Sequence, residues 1–386
     1  MMSVATDILD GHGGVGDGAV LDAPPQQAVA GRKASVPPDY STKHQRAMEK
    51  LLLSSAPSCH QTLPDGRFVV PAEHRPPASA AGAVSLPVID LSLPRDEVRR
   101  AVLDAGKELG FFQIINHGVP EEAMSDMEAA CAEFFRLPAE DKARYYSEDT
   151  ERTNRLFSST MYEVAGERYW RDCLRLAVFP VDDEAIRDGW PEKPSQFRDV
   201  LERFIVPTRG VGMELLRLLC EGIGLRPDYF SGELSGGEAI INVNHYPPCP
   251  DPNLTLGLPP HCDRNLITLL LQGPVCGLQV AYRANQWIDV DPIPGAFVVN
   301  FGHQLEIATN GLLKSVEHRA VTNSTAPRTS VATFIMPTMD SVIRPAPELV
   351  GADNPPRYRT FTFRDFMTIY KQVGARRDSV EKAFKL

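Results

Sequence analysis

Residues 261–271, HCDRNLITLLL, place a histidine and an aspartate directly before an apolar run. The run is one of several short β-type segments that follow Ala239, and Pro, Gly and Asn residues separate them. Closely spaced short strands with such punctuation predict an all-β sandwich or jelly roll. The predicted strands cover residues 240–246, 266–271, 277–280, 287–290, 296–301, 315–320 and 330–335.

Helical patterns dominate the chain before this region. Apolar residues recur there at helical spacing, which predicts amphipathic helices. The longest helix covers residues 197–225, and we expect a kink or break at Pro207 because proline has no amide hydrogen to donate. The other predicted elements are strands at residues 85–90 and 111–115, helices at residues 98–109 and from residue 120, and a final helix at residues 363–372.

These patterns predict a mixed α/β (α+β) fold in four parts. Residues 1–40 are rich in Gly, Ala, Pro, Asp and Ser and lack apolar periodicity, so we expect a disordered tail. Residues 41–235 are predicted to form a helix-rich N-terminal domain, and residues 236–342 a jelly-roll core. A C-terminal helical segment follows over residues 343–386.

Composition and charge narrow the class of protein. The 386 residues are 43% hydrophobic and 23% charged, as in an ordinary folded protein. The net charge of −10 argues against nucleic acid or a membrane surface as partner. No signal peptide, membrane span or phosphate-binding loop is apparent, and the seven cysteines include no C-x-x-C pair. We therefore expect a cytoplasmic, monomeric protein that acts on a small molecule.

Two histidines and an aspartate are candidate metal ligands. His261 and Asp263 are two residues apart, so on a strand both side chains would project from one face. His318, in another predicted strand, supplies a third ligand. Two imidazoles and one carboxylate form the facial triad of non-haem Fe(II) oxygenases, which leaves one side of the iron open. His117 and His303 are alternative ligands, but neither has a carboxylate two residues away.

A second set of polar side chains could bind a carboxylate. Arg328 and Ser330 are two residues apart on a predicted strand. The planar guanidinium can donate two hydrogen bonds to one carboxylate, and the hydroxyl can add a third. Asn244 and Tyr246 likewise share one strand face. A keto acid that chelates iron and ends in a distal carboxylate would satisfy both the open metal and this anchor.

A series of motifs runs from residue 86 to residue 366. They are Leu86-Pro-Val-Ile-Asp-Leu91, Gly110-Phe-Phe-Gln-Ile-Ile-Asn-His-Gly118, Trp170-Arg-Asp-Cys-Leu-Arg175, Asn244-x-Tyr-Pro-Pro-Cys249, His261-x-Asp263, Asn300-Phe-Gly302, Thr309-Asn-Gly-x-x-Lys-Ser315, His318-Arg-Ala320 and Arg328-x-Ser330. In this order they resemble the motifs of plant 2-oxoglutarate/Fe(II)-dependent dioxygenases.

The resemblance implies a double-stranded β-helix core in which the three candidate ligands hold Fe(II). It also implies that the Arg328–Ser330 pair binds the distal carboxylate of 2-oxoglutarate, with Asn244 and Tyr246 beside it. O2 is then the second cosubstrate and ascorbate a supporting reductant. The implied reaction converts 2-oxoglutarate to succinate and CO2 while the substrate is hydroxylated, and desaturation stays open. Many members of the family carry aspartate at the position of His303.

The substrate is indicated by shorter stretches. Residues 154–158, 262–271 and 328–337 are most similar to enzymes that hydroxylate phytosiderophores, which are amino-polycarboxylate iron chelators. The leading candidate is therefore 2'-deoxymugineic acid or a related phytosiderophore. Residues 265–270 are also similar to an alkaloid hydroxylase, so an alkaloid, indole amine, phenolic acid or flavonoid is the alternative.

A polycarboxylate substrate would need cationic side chains beside the metal. Residues 170–175 also fit a structural ion-pair network, and on a regular strand Arg264 would point away from Asp263. The candidate cations are Arg155, Arg171, Arg175 and Arg264, and the candidate pocket walls are Phe157, Tyr162 and Phe334.

Two other classes of protein share the ligand types. A metal-binding jelly roll without redox activity, or a zinc hydrolase, could use two histidines and an aspartate. Neither has a use for a carboxylate anchor at Arg328 and Ser330, so both are less favoured.

Overall fold

Helices predominate in the first half of the described chain, and strands predominate after residue 239. This computed structural model covers residues 52–55, 66–75, 84–159, 168–237, 239–283 and 286–386. The predicted tail of residues 1–40 lies outside the described residues. Within these ranges no helix combines the length and hydropathy that are needed to span a bilayer.

The described residues form fourteen strands and eight α-helices. The strands are β1 Val88–Asp90, β2 Phe111–Ile115, β3 Arg155–Ser158, β4 Asp172–Ala177, β5 Ile240–Tyr246, β6 Leu258–His261, β7 Ile267–Leu271, β8 Leu278–Arg283, β9 Gln286–Asp289, β10 Phe297–Phe301, β11 His318–Ala320, β12 Arg328–Ile335, β13 Val342–Ile343 and β14 Phe361–Thr362. The helices are α1 Arg95–Glu108, α2 Glu121–Arg136, α3 Ala139–Lys142, α4 Glu184–Asp188, α5 Phe197–Ile223, α6 His303–Ala308, α7 Phe363–Val373 and α8 Arg377–Phe384.

Two sheets build the β core. The large sheet has the strand order β1-β2-β10-β7-β12-β5-β4-β3, and the small sheet has the order β6-β11-β8-β9. Strand β12 pairs antiparallel with both β5 and β7. The predicted mixed α/β class is confirmed. Residues from both sheets line one cavity, which contains the candidate site.

The N-terminal region contributes four strands to the large sheet. Strand β2 pairs with β10, and β4 pairs with β5. Residues from Thr42 to Leu386 form one compact unit. The domain boundary predicted between residues 235 and 236 stays a prediction. Strands from both sides of this position belong to the same large sheet.

Local pattern locates β5, β7 and β10 within one residue of their observed bounds. It does not predict β6, because Pro259 and Pro260 cannot donate hydrogen bonds to a neighbouring strand. Strand β6 forms at the edge of the small sheet, where it needs only one partner, β11. Strands β3 and β4 are also missed, because arginines interrupt their apolar residues.

Helix α5 runs without interruption through Pro207, so of the predicted kink or break the break is wrong and the kink stays a prediction. The helix packs against α1, α2, β7 and β12. Thr208 Oγ1 also donates to the Phe204 carbonyl at 2.7 Å. These contacts offset the effect of a proline inside a helix, which otherwise costs about 3 kcal/mol.

The main hydrophobic core lies between the large sheet and helices α1, α2 and α5. Along β12, Val331 and Ile335 enter this core, whereas Ser330 and Phe334 line the cavity on the opposite face. A second hydrophobic cluster, which includes Phe366, joins helices α7 and α8 to the end of β12. The alternation of side chains on one strand thus separates the core from the candidate site.

The end of β10 approaches the chain beside the cavity so closely that position 302 accepts only glycine. A Cβ at Gly302 would overlap the backbone of Asn265. We expect Gly302→Ala to lower the free energy of unfolding by about 1–3 kcal/mol, because the backbone must shift.

The control is Gly210→Ala in helix α5, where a Cβ would meet no atom within 4 Å. This change should raise the free energy of unfolding by about 0.5–1 kcal/mol, as alanine favours a helix over glycine. Urea unfolding measures both variants, and a stability for Gly302→Ala equal to wild type would contradict the close approach.

Candidate functional site

The three candidate metal ligands converge between the two sheets. His261 ends β6 and lies directly opposite His318, the first residue of β11. Asp263 Oδ1 is 3.8 Å from the Nε2 atom of each histidine. One ligand atom from each of the three residues lies within 4.8 Å of the others, so the group could hold one metal ion. Asp263 lies beyond the end of β6, so the expectation that it shares a strand with His261 is wrong.

Backbone carbonyls orient the two imidazole rings. His261 Nδ1 is 2.9 Å from the Pro259 carbonyl, and His318 Nδ1 is 3.3 Å from the Val316 carbonyl. Because a carbonyl only accepts, each Nδ1 carries the hydrogen and each Nε2 keeps its lone pair for a metal. Burial, together with the neighbouring His318, lowers the pKa of His261 to about 3. His261 is therefore neutral at pH 7.

The Asp263 carboxylate is held by two donors. Thr268 Oγ1 donates to Oδ2 at 2.6 Å and Asn300 Nδ2 donates to the same oxygen at 2.7 Å. Burial acts to raise the pKa of Asp263, but the two histidines and these hydrogen bonds keep it below its usual value. Oδ1 is left facing the histidines. The sequence places Asn300 in a recognised motif without a role, and no local signal marks Thr268.

The two alternative histidines lie outside the group of three ligands. His117 Nδ1 accepts from the Val119 amide and Nε2 lies 2.9 Å from the Gly295 carbonyl, so both ring nitrogens are engaged. His303 begins helix α6 and its ring lies beside Phe366 and Tyr370. Neither histidine belongs to a group of ligand atoms within the described residues.

The second polar set also assembles. On the paired strands β12 and β5, Arg328 lies opposite Tyr246 and Ser330 lies opposite Asn244, with all four side chains buried. Arg328 Nε donates to the Val275 carbonyl at 3.1 Å, which orients the guanidinium. Burial lowers the pKa of Arg328, and the neighbouring Tyr246 acts in the opposite direction. The group could bind a carboxylate in the cavity.

Arg171 orients one member of this set. Its guanidinium donates to Asn244 Oδ1 at 3.0 Å and also to the Ser159 carbonyl. Asn244 thus presents its amide oxygen to Arg171. The adjacent Asp172 makes a different set of contacts, accepting from Ser158 and from the Ser54 amide. Sequence reasoning found no such role for Arg171.

One cavity, open to solvent, connects the metal group and the anchor. Phe157 and Phe334 line it as expected. Arg155 is buried behind Phe157, with its guanidinium carbon 4.3 Å from the ring centre. Tyr162 lies outside the described residues. Arg155 is thus not among the described residues that line the cavity, whereas the other three cationic candidates, Arg171, Arg175 and Arg264, do line it.

Arg264 lines the cavity although strand alternation predicted the opposite direction. Residues 262–266 lie between β6 and β7 and belong to neither strand, so alternation does not apply there. The regular strand on which the expectation for Arg264 depended is therefore absent at this position.

Comparison with protein families defines the class. Residues 237–337 match the 2OG-Fe(II) oxygenase superfamily, and residues 86–197 match the N-terminal region of non-haem dioxygenase in morphine synthesis. The chain belongs to the 2OG-Fe(II) oxygenase superfamily. It is a 2-oxoglutarate-dependent dioxygenase that uses Fe(II), 2-oxoglutarate and O2, and its core is the expected double-stranded β-helix. The buried set of two imidazoles and one carboxylate fits Fe(II).

Individual relatives and one solved structure are similar to most of this chain. The chain is 61% identical to 2'-deoxymugineic-acid 2'-dioxygenase of Hordeum vulgare, over 84% of this chain and 94% of the relative. It is 52% identical to mugineic-acid 3-dioxygenase of Hordeum vulgare, again over 84% and 94%. Among solved structures, JOX2 in complex with 2OG, Fe and JA is similar with a TM-score of 0.77 and 34% identity, over 86% of this chain and 96% of that one.

The role of the Thr268 hydroxyl in orienting Asp263 can be tested by measuring the affinity of the protein for Fe(II). We expect Thr268→Val to weaken Fe(II) binding by about 10- to 100-fold, because the variant loses a hydrogen bond that orients Asp263. Anaerobic calorimetric titration of the metal-free protein measures this affinity.

The matched control is Thr333→Val on β12. The hydroxyl of Thr333 is buried and has no hydrogen-bond partner among the residues described. Its loss should leave Fe(II) affinity unchanged. An affinity of Thr268→Val equal to that of this control would refute the orienting role of Thr268.

Proposed function

We propose that this dioxygenase hydroxylates an amino-polycarboxylate iron chelator of the phytosiderophore type, with 2'-deoxymugineic acid as the leading substrate. The relatives that are 61% and 52% identical are named for 2'-deoxymugineic acid and mugineic acid. The observation that carries the proposal is the charge of the cavity wall.

The cavity wall is basic in an acidic protein. The chain has a net charge of −10, which opposes the approach of a polyanion. Among the described residues that line the cavity, five are arginines and one, Asp263, is a carboxylate. One arginine, Arg328, is accounted for by 2-oxoglutarate. The remaining positive charge suits a substrate with several carboxylates and has no evident use for an alkaloid or a flavonoid.

We assign the functional residues as follows. His261, Asp263 and His318 hold Fe(II). The Arg328 guanidinium and the Ser330 hydroxyl bind the distal carboxylate of 2-oxoglutarate, and Asn244 and Tyr246 lie beside this cosubstrate. When bound, iron and 2-oxoglutarate supply the oxidising chemistry, in which 2-oxoglutarate gives succinate and CO2 and one oxygen atom enters the substrate.

The surrounding residues control what reaches that chemistry. Phe111 and Phe157 line the cavity with apolar surface, which keeps water away from the metal group. Phe111 also packs against the His318 ring, with ring centres 5.2 Å apart. The cationic side chains then orient the substrate so that one C–H bond faces the open side of the metal.

The setting of the enzyme is also part of the proposal. Six cysteines fall in the described part of the chain, and all six are free thiols, five of them buried. Such thiols support a reducing compartment, the cytoplasm. We propose that the enzyme acts there as a monomer, in specialised metabolism.

The substrate assignment predicts a product. Purified protein with Fe(II), 2-oxoglutarate and ascorbate should convert 2'-deoxymugineic acid to a compound heavier by one oxygen atom, with one succinate per product. Mass spectrometry measures both compounds. Hyoscyamine, melatonin, salicylate and naringenin are the comparison substrates, and turnover of one of these without turnover of the chelator would overturn the proposal.

The cosubstrate assignment predicts a graded effect. Arg328→Gln should raise the KM for 2-oxoglutarate by about tenfold or more, and Ser330→Ala by about fivefold, because hydrogen bonds from charged groups are stronger than those from neutral ones. Fe(II) affinity should stay at the wild-type value in both variants. Steady-state kinetics with varied 2-oxoglutarate provides the test, and an unchanged KM in Arg328→Gln would exclude Arg328 as the anchor.

A further inference from the structure

On the face of the large sheet that lines the cavity, side chains form rows that run across strands β12, β5, β4 and β3. Residues in one row are directly opposite each other in the strand pairing. One row contains Ser330, Asn244, Cys173 and Phe157. The next row, two residues further along each strand, contains Ala332, Asn242, Arg175 and Arg155.

The second row carries polar groups that the cosubstrate does not use. Asn242 and Arg175 both line the cavity. Asn242 Oδ1 is buried and has no hydrogen-bond partner among the described residues, and the same is true of Arg155 Nε. Buried polar atoms without partners are rare in folded proteins, so an accepting oxygen on a cavity wall indicates a ligand that donates to it.

Positive charge is concentrated at the same place. Arg155 is the buried last residue of this row, and Arg264 lines the cavity. Burial lowers the pKa of Arg155, and the nearby positive charge of Arg264 adds to this effect, while Asp149 and Glu151 act in the opposite direction. Cations that are close together in a partly dry cavity are stabilised by an anion between them.

We propose that Arg175, Asn242 and Arg264 form a second carboxylate subsite, which binds the end of the substrate remote from the oxidised carbon. The arginines bind the carboxylate, and Asn242 Oδ1 accepts a hydrogen bond from an amine or hydroxyl beside it. Arg155 is a positioning residue that adds positive charge from behind Phe157. This inference rests on the proposed function and names the substrate groups that the enzyme recognises.

The position of the subsite sets the length of the substrate. Neighbouring strands are about 4.8 Å apart, so Arg175 on β4 is about 10 Å across the sheet from β12. Ala332 is the residue of β12 in the same row as Arg175. The 2-oxoglutarate anchor, Arg328, lies four residues along β12 from Ala332. From Ala332, the Arg328 anchor therefore lies along the strand, whereas Arg175 lies across the sheet. An elongated molecule with a carboxylate at its far end can reach Arg175 while 2-oxoglutarate occupies the Arg328 anchor.

The experiment compares Arg175→Gln with wild-type holoenzyme on 2'-deoxymugineic acid and on its singly amidated forms. In wild type, amidation of the bound carboxylate should raise the substrate KM by about tenfold. Arg175→Gln should raise the KM for the acid by a similar factor and should no longer distinguish it from that amide. The KM for 2-oxoglutarate and the affinity for Fe(II) should not change.

The matched control is Arg209→Gln. Like Arg175, Arg209 is a partly buried arginine, but it lies over Phe179, 4.0 Å from the ring centre, and it does not line the cavity. This variant should keep the wild-type KM for the chelator. Asn242→Ala is a second variant that preserves the charge, and it should raise the same KM by about fivefold.

The outcomes separate the two proposals. If wild type does not convert the chelator, the proposed function and the subsite both fail. If wild type converts it and Arg175→Gln still distinguishes acid from amide with an unchanged KM, the subsite alone is wrong. Unchanged 2-oxoglutarate kinetics in the variant shows that it is folded, so loss of structure cannot imitate the expected result.

Discussion

Strand β12 is hydrogen-bonded on both sides, to β5 and to β7, and the site depends on this pairing. Its apolar residues, such as Val331 and Ile335, pack into the main core, and Arg328 and Ser330 necessarily face the other way. A shift of one residue in register would exchange the two sets. The packing of helix α5 against β12 therefore also determines where the carboxylate anchor points.

Residue type and short spacing were sufficient to predict two pairs of side chains that share the site. His261 and Asp263 are close in sequence, and the Arg328–Ser330 pair follows from strand alternation. The sequence does not show which strands become neighbours, because that choice depends on contacts between distant segments. Strand β6 is therefore missed. The hydrogen bond from Thr268 to Asp263 was also beyond reach, since it requires the turn between β6 and β7 that alternation does not describe.

The cavity shows how charge is kept inside a folded protein. Asp263 and Arg328 are both nearly inaccessible to solvent, and each has local partners that reduce the cost of its burial. The acidic surface and the basic cavity wall have opposite effects on an anion. The surface repels it weakly through water, whereas the wall acts at short range with little solvent screening. A net charge for the whole chain therefore says little about what this cavity accepts.

The metal group and the anchor lie between the two sheets, away from the β4–β3 edge of the large sheet. The metal group and the anchor involve β5, β6, β11 and β12, while β4 and β3 complete the edge of the large sheet. Side chains on those last two strands can change without disturbing the pairing that supports oxidation. Part of the substrate wall can therefore vary while the strands that carry the anchor stay paired. This strand order thus allows one reaction to be combined with different cavity walls.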